Sequence, residues 1–245
     1  MEVKSVSDPF KALLVDIGNT QIKYSMVNDI SDILNIECCP EIADLSFYIS
    51  SVSEVLVSSV GHLSLLEEIK CLCEYFNKPY KIIHTEAETL GIQCAYEKFE
   101  TLGVDRWLAI LAAREITELP VAVIDLGTAN TCDIVVENNH LGGWIAPGFS
   151  IMRKSLLSNT QQVFADNNNI PVILDIGNTT ENCVNYGCLA SQAGFVMMAQ
   201  QYLSNKYEDY FVLVTGGGQN SLILKENKKI LSFPNLVIRG LFRLI

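Results

Sequence analysis

One local design occurs twice along the chain. Ala12 to Val15 is an apolar run ending in Asp16-Ile17-Gly18-Asn19-Thr20, after which Ile22, Tyr24 and Met26 alternate with Lys23, Ser25 and Val27. About 109 residues later, Val121 to Ile124 leads into Asp125-Leu126-Gly127-Thr128-Ala129-Asn130-Thr131, followed by Cys132, Asp133 and the apolar Ile134 to Val136. Each copy reads as strand, acidic residue, glycine turn, strand. A repeat of this length predicts two domains of like build. The break at Leu119-Pro120, after a helical pattern, puts the boundary near residues 117–120 and the domains at 1–118 and 119–245.

Between the copies, strand-like and helix-like segments alternate. Val55 to Val60 is a short β-rich run, His62 to Phe76 has helical character, Tyr80 to Ile83 is apolar again, and Val104 to Glu115 is strongly helical. The second half has a Gly142-Gly143 pair that predicts a turn, the stretch Trp144-Ile145-Ala146-Pro147-Gly148, a helical segment through about Asn159, and a polar loop at Asp166 to Asn169. A helical pattern from Thr180 to Leu203 and a strand from Phe211 to Val214 follow, the latter running into Thr215-Gly216-Gly217-Gly218. Strands alternating with helices of this length predict an α/β architecture.

Composition narrows the functions open to such a chain. An apolar fraction of 49% and a charged fraction of 18% exclude intrinsic disorder. The formal net charge of −11 repels nucleic acid and anionic lipid, so neither is an expected partner. No apolar run is long enough to span a bilayer and Met1 to Lys11 has no signal-peptide core, so the expected location is the cytoplasm. The eight cysteines contain no CxxC pair and read as mostly buried thiols. His62, His84 and His140 lack ligand spacing, which points to ordinary structural or surface roles.

The chemistry is concentrated in the repeated loops. A glycine there lets the backbone turn tightly beside an anion, amides and hydroxyls donate to phosphate oxygens, and the carboxylate holds a cation or its water shell. One such loop also fits a plain hairpin with an Asx turn; two loops facing each other would clamp a nucleotide's phosphate tail between domains. Thr215 to Gly218 is a candidate third contact to the nucleotide, and Lys23 is placed to reach phosphates. Asp175-Ile176-Gly177-Asn178-Thr179 repeats the first loop's letters without a following strand; there, Asn178 or Thr179 is expected to cap a helix. Gly103-Val104-Asp105-Arg106 opens a helix with a carboxylate beside a guanidinium. That pair suits phosphoryl transfer to an alcohol, one residue fixing the substrate and the other accepting its proton, although a simple helix cap has the same letters.

Taken in order, DIGNTQIK at 16–23, Tyr96 with GVDR at 103–106, DLGTANT at 125–131, GGWIAPG at 142–148, and Gly177 to Thr180 with Gly187 beyond resemble type III pantothenate kinases, members of the acetate and sugar kinase, Hsc70 and actin superfamily. The resemblance implies two RNase H-like domains around an interdomain cleft, usually in a homodimer, that phosphorylate pantothenate from ATP in the first committed step of coenzyme A synthesis. Asp16, Gly18, Asn19, Thr20, Lys23 and Thr128 would contact ATP with its magnesium, and Asp105 would accept the proton. Tyr96, Gly103, Val104, Asp105, Arg106 and Thr180 would meet pantothenate, and Asp125 would hold a monovalent cation, potassium or ammonium.

Two departures from the family pattern stand out: Thr179-Thr180 replaces a frequent Asn-Thr, and Gln161 to Phe164 replaces an alanine and a Leu-Pro pair. The alternative functions are a kinase for another small hydroxylated acid or sugar, and a non-catalytic ATP-binding regulator of the same fold. The intact loops and Asp105 weigh against the regulator, and the Tyr96 to Arg106 set against another substrate.

Overall fold

The computed structural model describes residues 10–18, 20–159, 173–218 and 228–245. The chain divides into two units, each built on its own sheet. One holds the chain up to Glu86 together with Glu100–Ala112 and Val237–Ile245; the other holds Ala87–Phe99 and Ala113–Leu236. The single cut expected between 118 and 119 leaves residues 87–99, 113–118 and 237–245 on the opposite side from the unit they join.

In the first unit, strands β1 (Phe10–Ile17), β2 (Ile22–Val27), β3 (Glu37–Cys39), β4 (Val52–Ser59) and β5 (Tyr80–Ile82) form a sheet of order β3-β2-β1-β4-β5. β1 runs antiparallel to β2 and parallel to β4. Because side chains alternate along a strand, Leu13, Val15 and Ile17 face one way and Leu14 and Asp16 the other. The first set packs with Val55 and Val57, with Ile49 of α1 (Ser46–Ser50), and with Ile69 and Cys73 of α2 (Leu63–Tyr75). Asp16 closes the opposite row, at the carboxyl end of β1. Helix α3 (Val104–Ile116) buries Trp107, Leu108, Ile110 and Leu111 completely.

The second unit repeats this plan. β8 (Val121–Leu126), β9 (Ala129–Val136) and β10 (Asn139–Pro147) are antiparallel neighbours, and β11 (Phe211–Thr215) and β12 (Ile230–Ser232) continue the sheet in parallel from β8. The order β10-β9-β8-β11-β12, with these directions, matches β3-β2-β1-β4-β5. Both units are therefore RNase H-like, and the chain has the expected two-domain α/β fold. Two short strands from the inserted segment, β6 (Glu88–Thr89) and β7 (Ile92–Gln93), extend the second sheet past β10. Ala122, Ile124, Leu126, Cys132 and Ile134 pack against Val196, Ala199 and Leu203 of α5 (Thr180–Ser204), which follows α4 (Phe149–Asn159) in the chain. The chain closes with α6 (Leu236–Phe242), whose residues from Val237 onward belong to the first unit.

Gly142-Gly143 is not a turn but lies within β10, where the register with β9 shifts between His140 and Gly142 and Gly142 takes φ +106°. It is a β-bulge, for which a positive φ makes glycine the natural residue. The turn lies earlier, at Glu137 and Asn138. The loop departures at Gln161 to Phe164 and the polar segment Asp166 to Asn169 lie outside the described residues.

Candidate active site

In the first unit, strand register assembles a row of polar groups at the carboxyl end of β1. Asp16 lies opposite Ser58 on β4 and opposite Lys23 on β2. Ser58, fully buried, donates to Asp16 Oδ1 at 2.8 Å. Burial pushes the Asp16 carboxyl up to about 6, against the Ser58 hydrogen bond and the nearby Lys23 charge, which pull it down. The Asp105 carboxylate adds to the rise, so the electrostatics couple the first loop to the start of α3.

Asp105 sits in the first turn of α3, half-buried, and its Oδ1 accepts the Arg106 amide at 2.8 Å. The space it fills exists because residue 103 is glycine: a Cβ there would come within 2.5 Å of Asp105 Oδ1. Val104 and Arg106 are buried, the latter only 8% exposed, and Leu102 is held from behind by a 2.8 Å hydrogen bond from the Thr85 hydroxyl to its carbonyl. Gly18 turns tightly, its amide donating to the Gln21 carbonyl at 3.1 Å, and Thr20 is exposed beside it. Asn19 lies outside the described residues.

The second unit carries the matching loop. Asp125 occupies the position in β8 that Asp16 has in β1, and its neighbours in register are Thr131 on β9 and Thr215 on β11. A hydroxyl residue from the parallel neighbour thus flanks each acid, whereas Lys23 has a threonine as its counterpart. Thr128 is exposed in the loop, where Gly127 donates to the Ala129 carbonyl at 3.1 Å. Asn130 braces this loop from below: its amide donates to the Pro147 carbonyl and its oxygen accepts from Gln192 of α5, both at 3.1 Å. Gly216, at the end of β11, has φ +90°, and a Cβ on it would lie 2.2 Å from Asp125 Oδ1 and 2.6 Å from the Leu126 carbonyl oxygen. The glycine thus lets the backbone pass close by the Asp125 carboxylate and the Leu126 carbonyl, two hard oxygens of the type that ligate cations. Among the described residues no three His, Cys, Asp or Glu side chains gather in a metal-binding group, so a cation here would complete its shell with carbonyl, water or phosphate oxygens.

Tyr96 belongs to the second unit, while Gly103, Val104, Asp105 and Arg106 belong to the first. Thr179 caps α5, its hydroxyl accepting the Asn182 amide at 3.2 Å, and Thr180 is exposed at the first helical position. Sequence reasoning did not single out Ser58, Asn130 or Gln192, and it left His140 as ordinary. Of the structural and surface roles expected for it, His140 takes the structural one: it is buried, with Nε2 2.8 Å from Asp133 Oδ1.

The sequence profile of the type III pantothenate kinases matches residues 12–201. A type III pantothenate kinase from Pseudoalteromonas atlantica is 42% identical over 241 residues, covering 96% of this chain and 98% of its own. Among solved structures, a Baf family protein from Campylobacter jejuni aligns over 95% of this chain and 96% of its own with a TM-score of 0.57 at 20% identity. A ROK family glucokinase from Streptomyces griseus aligns over 95% and 98% with a TM-score of 0.52 at 12% identity; at such identities these two speak to the fold alone. A profile match over residues 12–201 and 42% identity along nearly the whole of both chains leave one conclusion: the chain belongs to the type III pantothenate kinase family.

Proposed function

We propose that this kinase transfers the γ-phosphoryl group of ATP to the primary hydroxyl of pantothenate, forming 4'-phosphopantothenate and ADP at the entry to coenzyme A synthesis. The observation that carries the mechanism is Asp105, a half-buried carboxylate in the first turn of α3 that bears electrostatically on Asp16. Asp105 orients the substrate hydroxyl and takes its proton as the oxygen attacks the γ-phosphorus and the bond to ADP breaks. Arg106 pairs with the substrate's carboxylate, and Gly103, Val104, Tyr96 and Thr180 shape the rest of its pocket. Gly18, Asn19, Thr20 and Lys23 in one unit and Thr128 in the other serve the phosphates. Most of the acceleration comes from alignment and charge stabilisation, since phosphoryl transfer asks little covalent chemistry of the protein.

Divalent metal accompanies ATP in this family, and Asp16 would supply the carboxylate that meets its water shell. Asp125 holds the monovalent cation, potassium or ammonium, a reading supported by the two hard oxygens beside Gly216. When bound, these ions offset phosphate charge in a protein whose net charge of −11 opposes ATP entry. The active form is a homodimer in the cytoplasm. In support, β10 exposes Leu141 and Ile145 at 49% and 65%, an apolar pair that a second copy would cover, and the eight cysteines include no CxxC pair, as suits a reducing compartment.

The test is ADP release with pantothenate, with and without potassium, for the wild type and Asp105→Asn. Removing a general base should lower kcat by about 10²- to 10⁴-fold while ATP affinity is kept. Equal loss of turnover and nucleotide binding would make Asp105 structural. Pantothenate-independent ADP release, or none at all from the wild type, would favour the other-substrate or the regulator reading.

A further inference from the structure

A buried polar group in the second unit takes no part in the chemistry above. His140, on β10, is 3% exposed, and its Nε2 lies 2.8 Å from Oδ1 of Asp133 on β9, itself 2% exposed. On the other side of the ring, the Ala95 amide donates to Nδ1 at 3.4 Å. A main-chain N–H can only donate, so the ring presents a lone pair at Nδ1 and carries its proton on Nε2, where Asp133 accepts it. The bonds at the two nitrogens fix the plane of the ring. Next to Ala95 in the chain, Tyr96 lies on that plane, with ring centroids 6.1 Å apart and planes inclined by 18°.

The pair needs room and has it. Gly143 stands opposite Asp133 in the β9–β10 register, and a Cβ there would fall 2.9 Å from Asp133 Oδ1 and 1.9 Å from the Cys132 carbonyl oxygen. The segment that brings Tyr96 needs the anchor, because its regular structure is slight: β6 and β7 have two residues each, and β7 meets β10 at one register pair, Gln93 with Asn139. A loop of that kind does not by itself hold a side chain to the fraction of an ångström that a binding pocket requires.

We infer that His140 and Asp133 are positioning residues for Tyr96: through its two ring nitrogens, the Asp133–His140 pair holds the plane on which Tyr96 lies and so sets the fit of the pantothenate pocket. This rests on the reading of Tyr96 as a pantothenate contact, and the two stand or fall by different variants.

Steady-state kinetics of Tyr96→Ala, His140→Ala, Asp133→Ala, Asp133→Asn and the double variant D133A/H140A separate the cases. His140→Ala should raise KM for pantothenate about 10-fold or more while kcat and KM for ATP move less than about threefold. Asp133→Ala should do the same, and the double variant should be no worse than His140→Ala, because both remove one device. Asp133→Asn still accepts the Nε2 proton and should keep KM close to wild type. If Tyr96→Ala leaves KM for pantothenate unchanged, the reading of Tyr96 fails. If Tyr96→Ala raises it but folded His140→Ala and Asp133→Ala do not, the positioning inference is overturned. Should the alanine variants not fold, the ring nitrogens of His140 in the wild-type protein decide: ¹⁵N shifts must show the proton on Nε2 with Nδ1 bare, and the opposite tautomer sinks the proposal.

Discussion

The Ser58 hydroxyl donates to Asp16 Oδ1 at 2.8 Å across the parallel pair of β4 and β1. That bond favours the ionised carboxylate, yet burial prevails and lifts Asp16 from 3.8 to about 6. Since the folded value lies above the unfolded one, the contribution to stability is fully present below pH 3.8 and is lost as pH rises through about 6. At neutral pH the folded kinase therefore holds an ionised carboxylate at a cost, poised for positive charge to arrive.

Asp16→Asn keeps an oxygen for the Ser58 hydroxyl and removes the charge. In the absence of nucleotide the variant should be more stable than wild type at pH 7.5 by about 1 to 3 kcal/mol, with the gap closing as pH falls from about 6 to 3.8. Turnover should fall sharply at every pH. Denaturant titrations at the two pH values check the first claim, and a variant less stable than wild type at pH 7.5 would refute it.

Gly103→Ala should separate activity from stability. The added Cβ meets Asp105 Oδ1 at 2.5 Å and touches no backbone atom within 4 Å, so the side chain can swing away at little cost to the fold. A displaced base is expected to lower kcat by about 10²-fold, with the thermal midpoint nearly unchanged. Paired measurement of kcat and melting decides it. A large loss of stability with kcat per folded molecule intact would contradict the placement of Asp105.

How far the primary structure announces these features depends on how local they are. β1, β2 and β8 were legible because apolar alternation and the glycine turn lie within one stretch of chain, and Thr179 was legible as a cap because its partner, Asn182, is three residues on. Ser58 was not, since its meeting with Asp16 depends on β4 choosing β1 as its parallel neighbour, 42 residues away. Nor was the destination of residues 87–99, whose two-residue strands carry no periodicity. The Asp133–His140 pair is hidden for a subtler reason. The bulge at Gly142 leaves His140 opposite Val135 and Gly143 opposite Asp133, so an unbroken hairpin ladder does not describe the pairing that joins them. Two adjacent glycines read as a turn by composition, whereas the chain turns at Glu137 with φ +52°.

Asp125→Ala should blunt the response to potassium and ammonium. If the carboxylate holds the ion, activity across a potassium titration becomes flat and low; an unchanged cation response would remove Asp125 from the role. Gly216→Ala is the complementary probe. Its φ of +90° and the 2.2 Å approach of a Cβ to Asp125 Oδ1 make the substitution strained, and the carboxylate must move to admit it. The expected result is a loss of about 1 to 3 kcal/mol together with weakened cation activation.

Gly240→Ala should behave in the opposite way to Gly103→Ala, although both glycines border α3. Gly240, on α6, packs so tightly on that helix that a Cβ would fall 2.1 Å from the Leu108 carbonyl oxygen and 2.6 Å from its carbon. These are backbone atoms within a helix, so neither can rotate away, and α6 must back off from α3. Three residues further on, the Arg243 guanidinium donates to the Leu111 carbonyl, a contact that would be lost in the same movement. The expected cost is about 1 to 3 kcal/mol, read as a lower denaturation midpoint. Because Leu108 and Asp105 share the helix, kcat should fall in step with stability and recover when the variant is assayed at lower temperature. A variant that melts like wild type would show that α6 does not brace the helix carrying the base.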